Sequence, residues 1–316
     1  MRTLPGAGTG SRGRKSGRLV FSLGLCLLVA ATGHAQTAQV YVTASLVDRN
    51  HLFVENLTSD EVRILEDGNP RAIQFNVMDQ LPTVYGILVE RALMPEADVD
   101  VRSAMAGATL AKNILLQLID KYLGYQQVWM GSYQKDPEDL LDFTGDSFRM
   151  KEAVQELTGP HGNTESYLYP ALFSAVQKLC ERTEKRRVLL LFLEAIDLKT
   201  VGKLRPLRNL LAASNIELFV VSFTSRLSTR GGLSPAVSDA SLKELSGSTA
   251  GEFYAAGLSK DHPEDIVRRL VMQLRTLHTF GFESTSPADN PGKLLIECSR
   301  PGSTVQHHPV VPVLCQ

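Results

Sequence analysis

The polar and apolar positions along the chain change rhythm twice. "AQVYVTASLVDRNHLF" alternates with period two, and "DEVRILEDGNPRAIQFNVMD" does so again on both sides of Asp67-Gly68. Alternation on either side of an Asp-Gly pair predicts a β-hairpin, so residues 38–80 read as all β. From Pro82 the pattern shifts. "TVYGILVE" is a continuous apolar run of the kind buried on both faces of a parallel sheet. Ala104, Ala108, Ala111, Leu115, Leu118 and Tyr122 then recur every three or four residues, which predicts an amphipathic helix over 102–123. The alternation continues with "QQVWMGSY" as a strand containing a core Trp129, "DLLDFT" as a short edge strand, and "FRMKEAVQEL" and "YLYPALFSAVQKLCERT" as helices. "RRVLLLFLE", "IELFVVSF" and "GEFYAA" read as strands, separated by helices in "KLRPLRNLLAAS" and "DASLKELSGST". "PEDIVRRLVMQLRTL" closes the series as a helix. Beyond Leu277 the β rhythm returns in "HTFGFEST", "GKLLIECSRPG" and "TVQHHPVVPVL".

Strands and helices taking turns over residues 82–278 predict a doubly wound α/β domain with a mostly parallel sheet. The β segments on either side, 36–81 and 279–316, are each too short to bury much alone. They are expected to pair into one small accessory β module.

The first 35 residues differ in kind. A basic start is followed by the apolar stretch "LVFSLGLCLLVAA" and by "GHAQ", which places a cleavage site after Ala35. The apolar stretch is shorter than the roughly 20 residues a membrane-spanning helix needs. The expectation is a secreted or periplasmic protein with no stable membrane anchor once the signal is cut. Leu25 before Cys26 does not suit a lipoprotein signal. Cleavage takes five basic and no acidic residues from a chain of 33 Lys+Arg and 34 Asp+Glu, leaving a net charge of about −6. That balance carries no footprint for nucleic acid.

Three cysteines remain in the mature chain. Cys298 and Cys315 are near neighbours in the β-like tail and are expected to clip it, leaving Cys180 as a buried thiol on a helix. Adjacent His307 and His308 are expected in a solvated tail. "RTEKRR", Arg182 to Arg187, reads as a solvated basic cap at a helix end.

In open α/β sheets, ligands sit beyond the carboxyl ends of the strands. This selects Glu90 to Met94, the loop around Gly162 to Ser166, and Glu194 to Asp197. Across these elements the order of "YGILVE", "GNTESYLYPAL" and "VLLLFLEAID" resembles a von Willebrand factor A domain. The flanks "VRILEDGNPRAIQF", "LRTLHTFGFEST" and "RPGSTV" are similar to those of exported bacterial von Willebrand factor A-related proteins of the acidobacterial type. The resemblance runs from about residue 38 to 306 and rests on the shared order of individually loose motifs. It implies a protein-interaction or adhesion module, no enzymatic activity, and another protein as partner.

The resemblance also implies a place for a metal ion. Metal-binding members end a strand in Asp-x-Ser-x-Ser and add a loop Thr and a second-strand Asp, giving a hard cation its oxygen ligands. Here Glu90-Arg91-Ala92-Leu93-Met94 stands at the motif, and both hydroxyls are missing. Thr164, with Ser166 as the alternative register, stands for the loop threonine. Glu194 stands for the distal Asp, with Asp197 three residues on. The primary expectation is a degenerate site without cofactor, with Glu90, Arg91, Thr164, Ser166, Glu194 and Asp197 as a binding rim. One alternative is a Mg²⁺- or Ca²⁺-dependent cage of Glu90, Thr164 and Glu194. Another is a cell-envelope hydrolase using Glu90 and Glu194 as a carboxylate pair. No Gly-x-Ser-x-Gly occurs, and "GPHGN" around His161 lacks phosphate-cradling spacing.

Overall fold

The computed structural model describes residues 38–315 except 51, 79–80, 95–101, 160–164, 195, 224–234, 257–261 and 288. The expected signal segment, Thr164 and His161 lie outside the described residues.

The apolar runs form a six-stranded sheet. Its strands are β5 (Thr83–Glu90), β6 (Gln127–Tyr133), β7 (Pro137–Thr144), β8 (Arg186–Leu193), β9 (Ile216–Ser222) and β10 (Phe253–Ala255), in the order β10-β9-β8-β5-β6-β7. All neighbours are parallel except β7, which runs antiparallel along one edge. Every residue of β5, β8 and β9 is buried, as a sheet covered on both faces requires.

Alternate side chains of these strands serve two cores. Tyr85, Ile87 and Val89 pack with α1 (Arg102–Lys121), α2 (Ser147–Glu156) and α7 (Pro263–Thr276) on one face. Val84 and Leu88, with Trp129, pack on the other with α3 (Leu168–Cys180), α5 (Leu204–Ala213) and α6 (Pro235–Gly247). A single-turn α4 (Leu198–Val201) precedes α5. From β5 the chain crosses to β6 on one side, while β8 lies on the other. The carboxyl ends of β5 and β8 therefore flank the point where the winding direction reverses, the crevice favoured by ligands in this architecture.

The remaining strands are β1 (Ala38–Val47), β2 (Val62–Glu66), β3 (Asn69–Arg71), β4 (Phe75–Met78), β11 (His278–Ser284), β12 (Leu294–Cys298) and β13 (Thr304–His307). They form two small antiparallel sheets, ordered β13-β1-β11-β4 and β12-β2-β3. Both mix strands from before and after the α/β body, with β1 hydrogen-bonded to β11 and β13, and β2 to β12. Val40, Val42, Ala44 and Leu46 of β1 meet Ile64, Phe280, Phe282, Leu294 and Ile296 in a third core. The turn between β2 and β3 has Asp67 at φ 50° and Gly68 at φ 81°. Two consecutive left-handed residues match the twist of a tight hairpin, which is why Asp-Gly serves here.

Three expectations are corrected. Cys315 is bonded to Cys180, not Cys298. Cys180 closes α3 where the last described segment crosses the same corner: Val313 and Leu314 donate to Ala213 O at 3.0 and 2.7 Å, and Arg187 Nη2 donates to Cys315 O at 2.7 Å. Cys298 instead sits in β12, beside the third core, as a free thiol. Next, Arg186 and Arg187 are buried in β8 rather than solvated. Arg186 Nε pairs with Glu217 of β9 at 3.0 Å and its Nη2 donates to Leu274 O at 2.9 Å, while Arg187 Nε donates to Leu179 O at 3.1 Å. Burial alone would pull the Arg186 pKa down. The neighbouring Glu217 charge more than reverses this, and the guanidinium stays protonated. Finally, His308 is fully buried and His307 is half-buried, its Nε2 accepting the Ile296 amide at 3.1 Å.

Candidate functional site at the carboxyl ends of the strands

Glu90 ends β5 and is only 2% exposed, because the strand runs out of apolar residues before it leaves the protein interior. Its Oε2 accepts the Glu194 amide at 2.8 Å, tying the end of β5 to the loop that follows β8. Arg91 reaches to β7. Its Nη1 meets Glu138 Oε2 on β7 at 2.9 Å, and its Nε reaches Thr158 O at 3.4 Å.

Asp197 caps α4 and α3 together. Its Oδ1 accepts the Thr200 amide at 2.9 Å, while Oδ2 accepts the Thr200 hydroxyl at 2.5 Å and the Leu168 amide at 3.0 Å. The Thr200 hydroxyl oxygen in turn accepts the Tyr169 amide at 3.0 Å. Two helix starts, each with orphan N–H groups, are thereby satisfied by one carboxylate and one hydroxyl. Nearby, Ile196 N donates to Ser238 Oγ at 3.1 Å.

The interior of the rim holds polar atoms beyond the carboxylates, and of these the sequence singled out Ser166 alone. Among the described residues, the hydroxyl of the buried Tyr133, the last residue of β6, has no hydrogen-bond partner, and neither have the buried hydroxyl oxygens of Ser132 and Ser166. Burial, then the charges of Glu90 and Asp197, hold the Tyr133 phenol far above its ordinary pKa, so it stays a neutral O–H. The signal for Tyr133 was its place in line with Glu90, its parallel-sheet partner.

Of the expected site residues, Glu90, Glu194 and Asp197 come together at the reversal point. Ser166 sits just before α3. Arg91 faces β7 instead. Among the described residues, this donor set does not fit a cation cage. Ala92 and Met94 supply no side-chain oxygen, the oxygens of Asp197 cap two helices, and one oxygen of Glu90 holds a backbone amide. Among the described residues, no three of His, Cys, Asp or Glu gather as metal ligands would.

Six strands in this order, helices on both faces and a crevice at the winding reversal define a von Willebrand factor A-like fold. Solved structures with this likeness include proximal thread matrix protein 1 from the mussel byssus, described with a zinc-occupied MIDAS motif. It is 12% identical, with 66% of this chain and 50% of that chain covered and a TM-score of 0.50. A von Willebrand factor type A protein from Catenulispora acidiphila is 9% identical over 88% of this chain and 75% of its own, TM-score 0.48. The vWF domain of the type V pili tip protein Mfa5 from Porphyromonas gingivalis is 11% identical over 63% and 97%, TM-score 0.44. At such identities the likeness is one of fold. No family model and no curated protein matches the sequence.

Proposed function

We propose that this protein is an exported, non-enzymatic interaction module that engages another protein through the carboxyl-end rim of its central sheet, without a bound metal ion. Export rests on the character of residues 1–35. The rim is favoured as the contact surface because the loops after β5 and β8 diverge there. The observation that carries metal independence is the use of the rim carboxylates. Glu90 and Asp197 accept hydrogen bonds from backbone amides and the Thr200 hydroxyl, and these donors stand where a cation would otherwise meet the carboxylate oxygens. The absence of enzymatic activity is supported by the same bonds, since an acid/base pair needs carboxylates presented to a substrate.

Thermal melting of the mature chain with millimolar MgCl₂ or CaCl₂, against a chelator control, tests this. The expected outcome is no change in Tm beyond the ionic-strength effect of an equal amount of NaCl. A saturable, ion-specific rise of several degrees would establish binding to the folded state and remove metal independence.

A further inference from the structure

The segment after β8 is rich in positive charge. From Leu198 to Arg208 the chain reads "LKTVGKLRPLR", with four cations and no carboxylate, in a mature chain that is net acidic. Arg208 is committed to Glu244 at 2.8 Å, whereas Lys199, Lys203 and Arg205 are exposed. The two lysines are held in place. Lys199 Nζ lies 4.2 Å from the centre of the Tyr167 ring and 3.0 Å from its hydroxyl, and Lys203 Nζ lies 4.1 Å from the centre of the Tyr169 ring.

These tyrosines flank Leu168 at the start of α3, whose amides Asp197 and Thr200 secure. Rings, helix starts and lysines thus form one stitched platform. Ammonium groups stacked on aromatic faces have fewer rotamers to lose when an anion arrives. Leu198 stands 54% exposed on the same segment. Of the neighbouring carboxylates, Asp197 caps the helices and Glu165 accepts from the Tyr167 hydroxyl; both also act on Lys199, whereas Lys203 is the cation further along the segment.

We infer that this lysine–tyrosine platform is the recognition surface of the rim and that it takes an acidic peptide segment of a partner protein. Carboxylates of the segment meet Lys199 and Lys203, and an apolar side chain covers Leu198. This rests on the reading of the rim as a protein-binding surface and adds the chemistry of the partner. A nucleic acid calls for a broad basic field that a net-acidic chain lacks. An anionic membrane surface calls for clusters of about four to eight free cations.

The test is fluorescence anisotropy of a labelled peptide alternating Asp and Leu, compared with its Asn/Leu counterpart, on the mature chain. The double variant Lys199→Glu/Lys203→Glu, checked for native circular dichroism, is set against Lys293→Glu, a reversal of an exposed lysine in the accessory β module. The expected result is preference for the acidic peptide, a loss of about tenfold or more in the double variant, and no change in the control. Equal binding of both peptides, or unaltered binding by the double variant, overturns the inference. So does displacement of the acidic peptide by phosphatidylglycerol vesicles. A photo-crosslinking residue at position 198 in the native host separates the two levels. A protein adduct that survives Lys199→Glu/Lys203→Glu keeps the rim as an interface and removes the acidic partner. No adduct together with no peptide binding removes both.

Discussion

Both ring nitrogens of His308 are enclosed without a hydrogen-bond partner among the described residues, an arrangement tolerable only while the ring is neutral. Burial, followed by the neighbouring His307, lowers its pKa from 6.5 to about 3. A depressed folded-state value means the folded form gives up stability as acid is added. The contribution is complete above about pH 6.5 and declines by about 1.4 kcal/mol per pH unit on the way toward 3. His307 and His278 are shifted the same way by burial. His308→Phe should therefore keep or raise stability at pH 7 and flatten the loss between pH 6.5 and 4, measured by urea unfolding at each pH. An equally steep profile in the variant would assign the acid response elsewhere. None of this was legible in the sequence, where two adjacent histidines in a proline-containing tail look solvated. Arg186 and Arg187 misled for a related reason: a basic run is usually a surface feature, and only the position of Glu217 on the neighbouring strand makes burial of Arg186 tolerable. Glu90 and Glu194 were found because a carboxylate after an unbroken apolar strand has few places to be except the strand end.

Among the elements, α3 has a distinctive role, with its start stitched to the rim and its end cross-linked to the last described segment. The Cys180–Cys315 bond closes a sequence separation of 135 residues, a long loop whose constraint on the unfolded chain is worth about 3–5 kcal/mol in the chain-entropy account. Reduction with dithiothreitol, or Cys180→Ser with Cys315→Ser, should lower stability by an amount of that order, read as a fall in Tm, whereas Cys298→Ser should change it little. Insensitivity to reduction would mean that the corner is held by the bonds of Arg187 and Ala213 alone. The strands and helices of the α/β body were readable because their apolar periods are long and unmixed. The cysteine pairing was not, because proximity in sequence favoured Cys298 while the fold carries the tail back to α3.

For the molecule as a whole, the small sheets show how far each stretch depends on another distant in sequence. β1 has β13 on one side and β11 on the other, and it supplies four side chains to the third core. Deleting residues 38–47 should cost the cooperative unfolding transition of the accessory sheets, visible as loss of protection of the β11 amides in hydrogen exchange. Retained protection there would mean that β11 is held by β4 and the body alone. Period-two patterning identified these strands; which strand pairs with which is set by long-range packing that a local pattern does not encode. At the far side of the central sheet, β7 leaves one flank open to solvent, and it begins with Pro137 and exposes Glu138, Asp139 and Asp142. A proline at the start of an edge strand, with Glu138 and Asp139 held in ion pairs by Arg91 and Lys178, makes a poor template for another strand, so this edge is guarded against zipping to a neighbouring copy.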